Sequence, residues 1–193
     1  MKVNLHRVKN LVYATIDNFF DKHELSEVLR EVIEVERFSL SPDKTKTAVN
    51  KNKEWLKTGN GIFLDELYNN NRPCSAILKA NRKMFSPEAF KPMEEFDAVF
   101  GFLTHSTLDT TLLNYYREGQ EYKPHRDTSK ITAITFLLVG ENSGGDFYFP
   151  DQEETVKVAH NKTVIFPSCV LHSALPTVGD GTRVSIAQFI EGG

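Results

Sequence analysis

His125 and Asp127 stand two positions apart, separated by Arg126. On extended chain, residues i and i+2 point to the same face, so both side chains could bind one metal ion. His172 follows an apolar run at 163–166 and a turn at Pro167-Ser168. A strand there would bring it back across the molecule toward His125. Two imidazoles and one carboxylate leave a coordination sphere open. A closed structural zinc site would need a fourth ligand, and neither Cys74 nor Cys169 has a suggestive spacing. The competing reading of His172 is a core histidine bonded to backbone. His6, His23, His105 and His160 read as a polar leader, a helix start, a loop and a turn, without chemistry.

Arg183 lies eleven residues past His172 on a final apolar segment, in which Arg183 and Ser185 alternate with apolar neighbours and share one face. If that face is interior, a buried guanidinium demands an anionic partner. A small dicarboxylate fits, because Arg binds carboxylate bidentately and Ser185 can add a hydroxyl donor. The alternative is an edge strand with Arg183 facing water. Two histidines and a carboxylate with open positions form the facial ligand set of non-haem Fe(II) oxygenases.

These residues need a scaffold. Alternation predicts a strand at 11–16, and Asp21 with Glu24 forms a capping-box pattern before a helix at 22–38. Further helices are expected at 72–85 and from Ser86-Pro87 to about Phe96. From about Ala98 the period changes to two, with strands expected at 110–116, 131–139, 146–149, 155–158, 163–166, 170–174 and 183–190. Helices followed by many short strands is an α+β pattern ending in a sandwich or barrel. Leu112, Leu137 and Val164 are candidate pocket walls, with barrel-core packing as the rival reading. Residues 43–60 carry a net charge of +3 and include Trp55. They read as a solvated loop or as a flap over a substrate.

The chain has 193 residues, a formal charge of −3 and 40 % hydrophobic residues, which suits one globular domain. Two cysteines build no disulfide framework and read as reduced thiols of a cytoplasmic protein. No apolar run reaches the ~20 residues of a membrane helix, and no signal peptide is read at the start. The acidic balance disfavours a nucleic-acid partner.

The order His125-x-Asp127, His172, Arg183-x-Ser185 resembles the 2-oxoglutarate- and Fe(II)-dependent dioxygenases. More narrowly, Asn114-Tyr115-Tyr116-x-x-Gly119-Gln120-x-Tyr122-x-x-His125-x-Asp127 looks like the entry to a prolyl 4-hydroxylase catalytic domain. Gly144-Gly145-Asp146-Phe147, Phe166-Pro167 ahead of His172, and Gly181-Thr182-Arg183-x-Ser185 match as well. So does the opening Asp17-Asn18-Phe19-Phe20 before a helix.

The resemblance implies a double-stranded β-helix (jelly-roll) core at 98–193, supported by an N-terminal strand and helices at 1–97. It implies Fe(II) held by His125, Asp127 and His172, and 2-oxoglutarate bound through Arg183, Ser185 and Tyr115. A core aromatic is the rival reading of Tyr115. Tyr122 and Phe189 fall where relatives have pocket or substrate contacts, and Phe136 stands where some relatives have a second tyrosine. The implied reaction uses O₂, yields succinate and CO₂, and hydroxylates a prolyl residue of a protein or peptide, with ascorbate as an aid in vitro. Arg rather than Lys at 183 makes collagen-like substrates less expected. Nucleic-acid demethylation, small-molecule hydroxylation and a non-catalytic metal- or protein-binding barrel stay open as alternatives. The demethylase branch lacks its second Arg here, where Phe189 stands.

Overall fold

Alternating apolar strands can bury both faces only if one face meets a second sheet and the other meets helices. The computed structural model describes residues 1–45, 54–106, 108–141 and 143–192, and the chain in it does both. The strands are β1 (Lys2–Val8), β2 (Leu11–Asp17), β3 (Asn60–Phe63), β4 (Asp109–Tyr116), β5 (Tyr122–His125), β6 (Ile131–Val139) and β7 (Ser143–Gly144). They continue with β8 (Phe147–Phe149), β9 (Glu154–Val156), β10 (Lys162–Pro167), β11 (His172–Ala174), β12 (Thr177–Val178) and β13 (Thr182–Ile190). The helices are α1 (Lys22–Val35), α2 (Pro42–Thr45), α3 (Leu64–Leu67), α4 (Ala76–Asn81), α5 (Pro87–Phe96) and α6 (Phe102–His105).

A seven-stranded sheet has the order β1-β2-β10-β6-β13-β4-β3, and a four-stranded sheet the order β5-β11-β8-β9. The short pair β12-β7 stands beside them. The interior between the two sheets holds Leu112, Phe136 and Phe166 from the large sheet against Phe147, Phe149 and Val156 from the small one. The outer face of the large sheet holds Leu113, Tyr115, Leu137, Val184 and Ile186, packed on Val28 and Val32 of α1 and Ile77 of α4. The fold is α+β: a jelly roll with N-terminal helices supporting its larger sheet. Among the described residues, no helix is long and apolar enough to cross a membrane.

The helix layer is tied down by polar contacts at its seams. Asp21 caps α1 by accepting from the His23 and Glu24 amides, and Glu24 accepts from the Asp21 amide, as the capping-box pattern requires. Buried Glu31 of α1 accepts from Ser75 Oγ (2.6 Å) and the Ile77 amide (2.8 Å), satisfying the first turn of α4.

Three details differ from the sequence expectation. The opening residues, read as a polar stretch, form a strand: β1 pairs along its whole length with β2 and makes one edge of the large sheet. Its polar residues suit an edge, and His6 stacks on Tyr13 (centroids 4.5 Å). Strands β2 and β3 also join this sheet, so a division near residue 97 cuts through the jelly roll. The helix expected at 72–85 is broken into a 3-10 turn, α4 and a second 3-10 turn. Of the stretch 43–60, residues 46–53 lie outside the described residues.

Candidate active site

The small sheet brings the two histidines face to face. His125 ends β5, His172 opens β11, and the two are register partners in an antiparallel pair. Their ring centroids are 4.2 Å apart. Each Nδ1 is bonded to the carbonyl two residues earlier: His125 to Lys123 O (2.8 Å) and His172 to Val170 O (2.9 Å). A carbonyl accepts only, so each Nδ1 carries the proton and each Nε2 presents a lone pair. Tyr122 stacks on His125 (3.5 Å), and Phe166 packs edge-on to His172 (4.7 Å), which fixes both rings.

Asp127 lies just beyond β5. Its Oδ1 is 3.8 Å from His125 Nε2 and its Oδ2 is 3.4 Å from His172 Nε2. The three donor atoms lie within 4.8 Å of one another, close enough for one ion. Thr132 Oγ1 donates to Asp127 Oδ2 (2.7 Å), and the Asp127 amide donates to Ser168 O (3.0 Å). Such outer contacts orient metal ligands. Burial holds both imidazoles down, to about 4, and so keeps them neutral. Burial also pushes the Asp127 carboxyl above its ordinary range. Both trends reflect three ligand groups facing one another in a dry site.

Arg183 is fully buried on β13, next to this cluster. Its Nη1 donates to Gly145 O and to Leu175 O (2.9 Å for the latter), and its Cζ sits 4.4 Å from the Tyr116 ring centroid. Among the described residues, its Nε and Nη2 have no hydrogen-bond partner. Gly145 is required here: φ is +66°, and a Cβ would overlap Arg183 Nη1. The expected Gly144-Gly145 turn is therefore the seat of the guanidinium. A cavity of about 710 Å³ joins the cluster to Arg183, with Asn114, Tyr116, Ser185 and Phe136 among its walls.

The structure brings together His125, Asp127, His172, Arg183 and Ser185. Tyr122, Phe189 and Leu112 also reach the cavity, whereas Val164 packs in the core between the sheets. Tyr115 does not line the cavity. It points to the opposite face of β4, lies in the helix-side core and donates from its phenol to Val32 O of α1 (2.6 Å). Tyr116 takes the cavity position instead. Leu137 likewise faces the helices rather than the pocket. Two contributors went unassigned in the sequence: Asn114, whose face follows from Leu112 by alternation, and Lys57, for which no sequence signal exists.

The family comparison meets this geometry at the same residues. Residues 110–191 match the profile described as the 2OG-Fe(II) oxygenase superfamily. Over that stretch the chain is similar to the 2OG-Fe(II) oxygenase superfamily. A curated relative, the PKHD-type hydroxylase Mmar10_1675 of Maricaulis maris (strain MCS10), is 28% identical over 99 residues, covering 46% of this chain and 45% of the relative. The match thus spans less than half of that relative's length. Among solved structures, a prolyl hydroxylase from Trichoplax adhaerens, in complex with a hypoxia inducible factor peptide fragment, gives a TM-score of 0.67 at 17% identity. It covers 93% of this chain and 83% of its own. A prolyl-4-hydroxylase from Pseudomonas putida gives 0.64 at 15% identity, covering 94% and 92%. At these identities the likenesses carry the fold. The superfamily's Fe(II) and 2-oxoglutarate suit the groups present: one face of nitrogen and oxygen ligands and, among the described residues, two buried guanidinium nitrogens without an acceptor.

Proposed function

We propose that the chain is a 2-oxoglutarate- and Fe(II)-dependent dioxygenase that hydroxylates a prolyl residue of a protein or peptide, its 193 residues acting as one catalytic unit. One observation carries this reading: three metal donors and a guanidinium with unpaired nitrogens open into the same cavity.

His125 Nε2, His172 Nε2 and an Asp127 oxygen would hold the Fe(II). Arg183 would receive the far carboxylate of 2-oxoglutarate, a group that a guanidinium matches better than an ammonium does. Ser185 shares the wall beside it, and Tyr116 supports the guanidinium from below. With O₂, the iron and 2-oxoglutarate supply oxidative decarboxylation to succinate and CO₂ and the oxidising power to hydroxylate a C–H bond. The chain's own task is to orient and to exclude water. Phe136, Phe147 and Ile134 give the cavity dry walls. Phe63 and Phe189 add apolar surface, while exposed Arg126 and Glu191 lie where a peptide backbone would pass. A prolyl ring suits such a lining, and the prolyl hydroxylases of the same fold support that choice. The net charge of −3 supports a protein rather than a nucleic-acid partner. The unpaired thiols Cys74 and Cys169 support a cytoplasmic setting.

The test is turnover of isotopically labelled 2-oxoglutarate with Fe(II), ascorbate and O₂, read as labelled succinate by mass spectrometry, with proline-containing peptides as prime substrates. Succinate from the wild type and none from His172→Ala is expected. Equal succinate from both would overturn the assignment. So would no succinate together with no metal-dependent binding of 2-oxoglutarate.

A further inference from the structure

Lys57 is 1% exposed, in a protein whose other lysines mostly face water. Its ammonium donates to Asn114 Oδ1 (2.8 Å), and among the described residues that is its one hydrogen-bond acceptor. None of the ion pairs among those residues includes it, and burial lowers its pKa to about 8. An apolar side chain would fill this interior position without desolvating a charge. The fold also makes room for it. Gly61 of β3 lies opposite Asn114 of β4, and a Cβ on Gly61 would come within 2.9 Å of Lys57 Nζ and 2.8 Å of Asn114 Oδ1. Lys57 itself bridges to Tyr122, which stacks on His125, so its backbone links the edge of the large sheet to the strand bearing a metal donor.

The bond decides how Asn114 is turned. With Oδ1 held by the ammonium, Nδ2 points the other way and donates to Ser185 Oγ (3.3 Å). Ser185 lines the same wall as Tyr116, whose ring lies beneath Arg183. Asn114, Ser185 and Tyr116 all line the cavity. A bonded pair of links therefore runs from Lys57 through Asn114 to Ser185, in the wall that also carries Tyr116 and the guanidinium above it.

We propose that Lys57 is a positioning residue of the co-substrate site, acting through Asn114 to hold the Asn114–Ser185 pair in the wall that carries Tyr116 and Arg183. The inference depends on the functional reading above. Calorimetric titration of 2-oxoglutarate into Mn(II)-loaded protein without O₂ separates the two. Wild-type protein that binds no 2-oxoglutarate overturns both. If the wild type binds, Lys57→Met weakens binding by about tenfold or more, as loss of a hydrogen bond to a charged group entails. Mn(II) affinity stays unchanged, and Lys57→Gln, which keeps a donor toward Oδ1, recovers part of the loss. Lys57→Met in an Asn114→Ala background costs nothing further, because the route is already cut. Gly61→Ala, which pries the same pair apart, weakens binding in the same direction and serves if Lys57→Met does not fold. Unchanged affinity in Lys57→Met or Gly61→Ala, or losses that multiply in the double variant, would overturn the proposal.

Discussion

Arg183 and Tyr116 are register partners on neighbouring strands, and the guanidinium lies 4.4 Å from the phenol ring centroid. The ring covers one face of the cation, and backbone carbonyls take one nitrogen. Among the described residues, the remaining two nitrogens have no hydrogen-bond partner. A buried cation solvated in this half-finished way is poised for an anion, and burial correspondingly lowers its pKa.

Arg183→Met should therefore strongly weaken co-substrate binding while leaving the fold intact. Truncating one partner of a buried charge pair costs about 2–5 kcal/mol of binding, roughly 30- to 5,000-fold in Kd for 2-oxoglutarate. The melting temperature without ligand should not fall, because the substitution also removes an unpaired buried charge. Calorimetry and thermal unfolding on the same samples read both effects.

Gly145→Ala is expected to act on Arg183 from the other side. A non-glycine residue at φ +66° is strained by about 1–3 kcal/mol, and its Cβ would meet Arg183 Nη1. The variant should be less stable to urea, and its KM for 2-oxoglutarate should rise more than its kcat falls. An unchanged KM would mean that the guanidinium does not depend on this turn.

Tyr115→Phe provides the contrast. The phenol donates to Val32 O inside the helix-side core, so its loss should cost about 0.5–1.5 kcal/mol of stability. The KM for 2-oxoglutarate should stay at the wild-type value. Tyr116→Leu should leave stability less affected and raise that KM by removing the face on which Arg183 lies.

The metal donors predict an unusual pH range. Burial brings the pKa of His125 and His172 to about 4, below the ordinary 6.5. A histidine with a depressed folded pKa is protonated more readily in the unfolded chain. Its stabilising contribution is complete above 6.5 and is lost as pH falls through 4. The raised carboxyl of Asp127 acts oppositely, but one group opposes two. Mn(II) affinity, followed by electron paramagnetic resonance, should hold level as pH drops below 6.5 and fall only on approach to 4. The metal-free protein should lose thermal stability progressively as pH falls from 6.5 to 4. A loss of affinity centred on 6.5 would contradict the burial of the pair.

The chemistry-bearing residues were legible because their types are restricted and their spacing is local. His125 and Asp127 share a face by period two, and so do Arg183 and Ser185. A sandwich or barrel was legible from seven apolar segments separated by turn residues, and the jelly roll followed only from the resemblance. The same periodicity contained the answer on Tyr115: Leu112, Asn114 and Tyr116 share one face of β4, and Tyr115 belongs to the other. Strands β1 and β3 were not legible. An edge strand needs few apolar residues, and the glycines that flank and interrupt β3 look like a loop until a neighbour fills the space above them.

What the linear chain determined by itself is the donor set, the face each donor occupies on its own strand, and the alternation that makes two sheets. Only the tertiary structure decided which strands became neighbours. Register is set by side chains packing across a sheet and between layers, which are contacts between distant residues. That packing put His172 opposite His125, left two nitrogens of Arg183 facing a cavity, and buried Lys57 against Asn114. A lone lysine in a charged stretch carries no trace of such a position, because its burial depends on the space that Gly61 leaves four residues away.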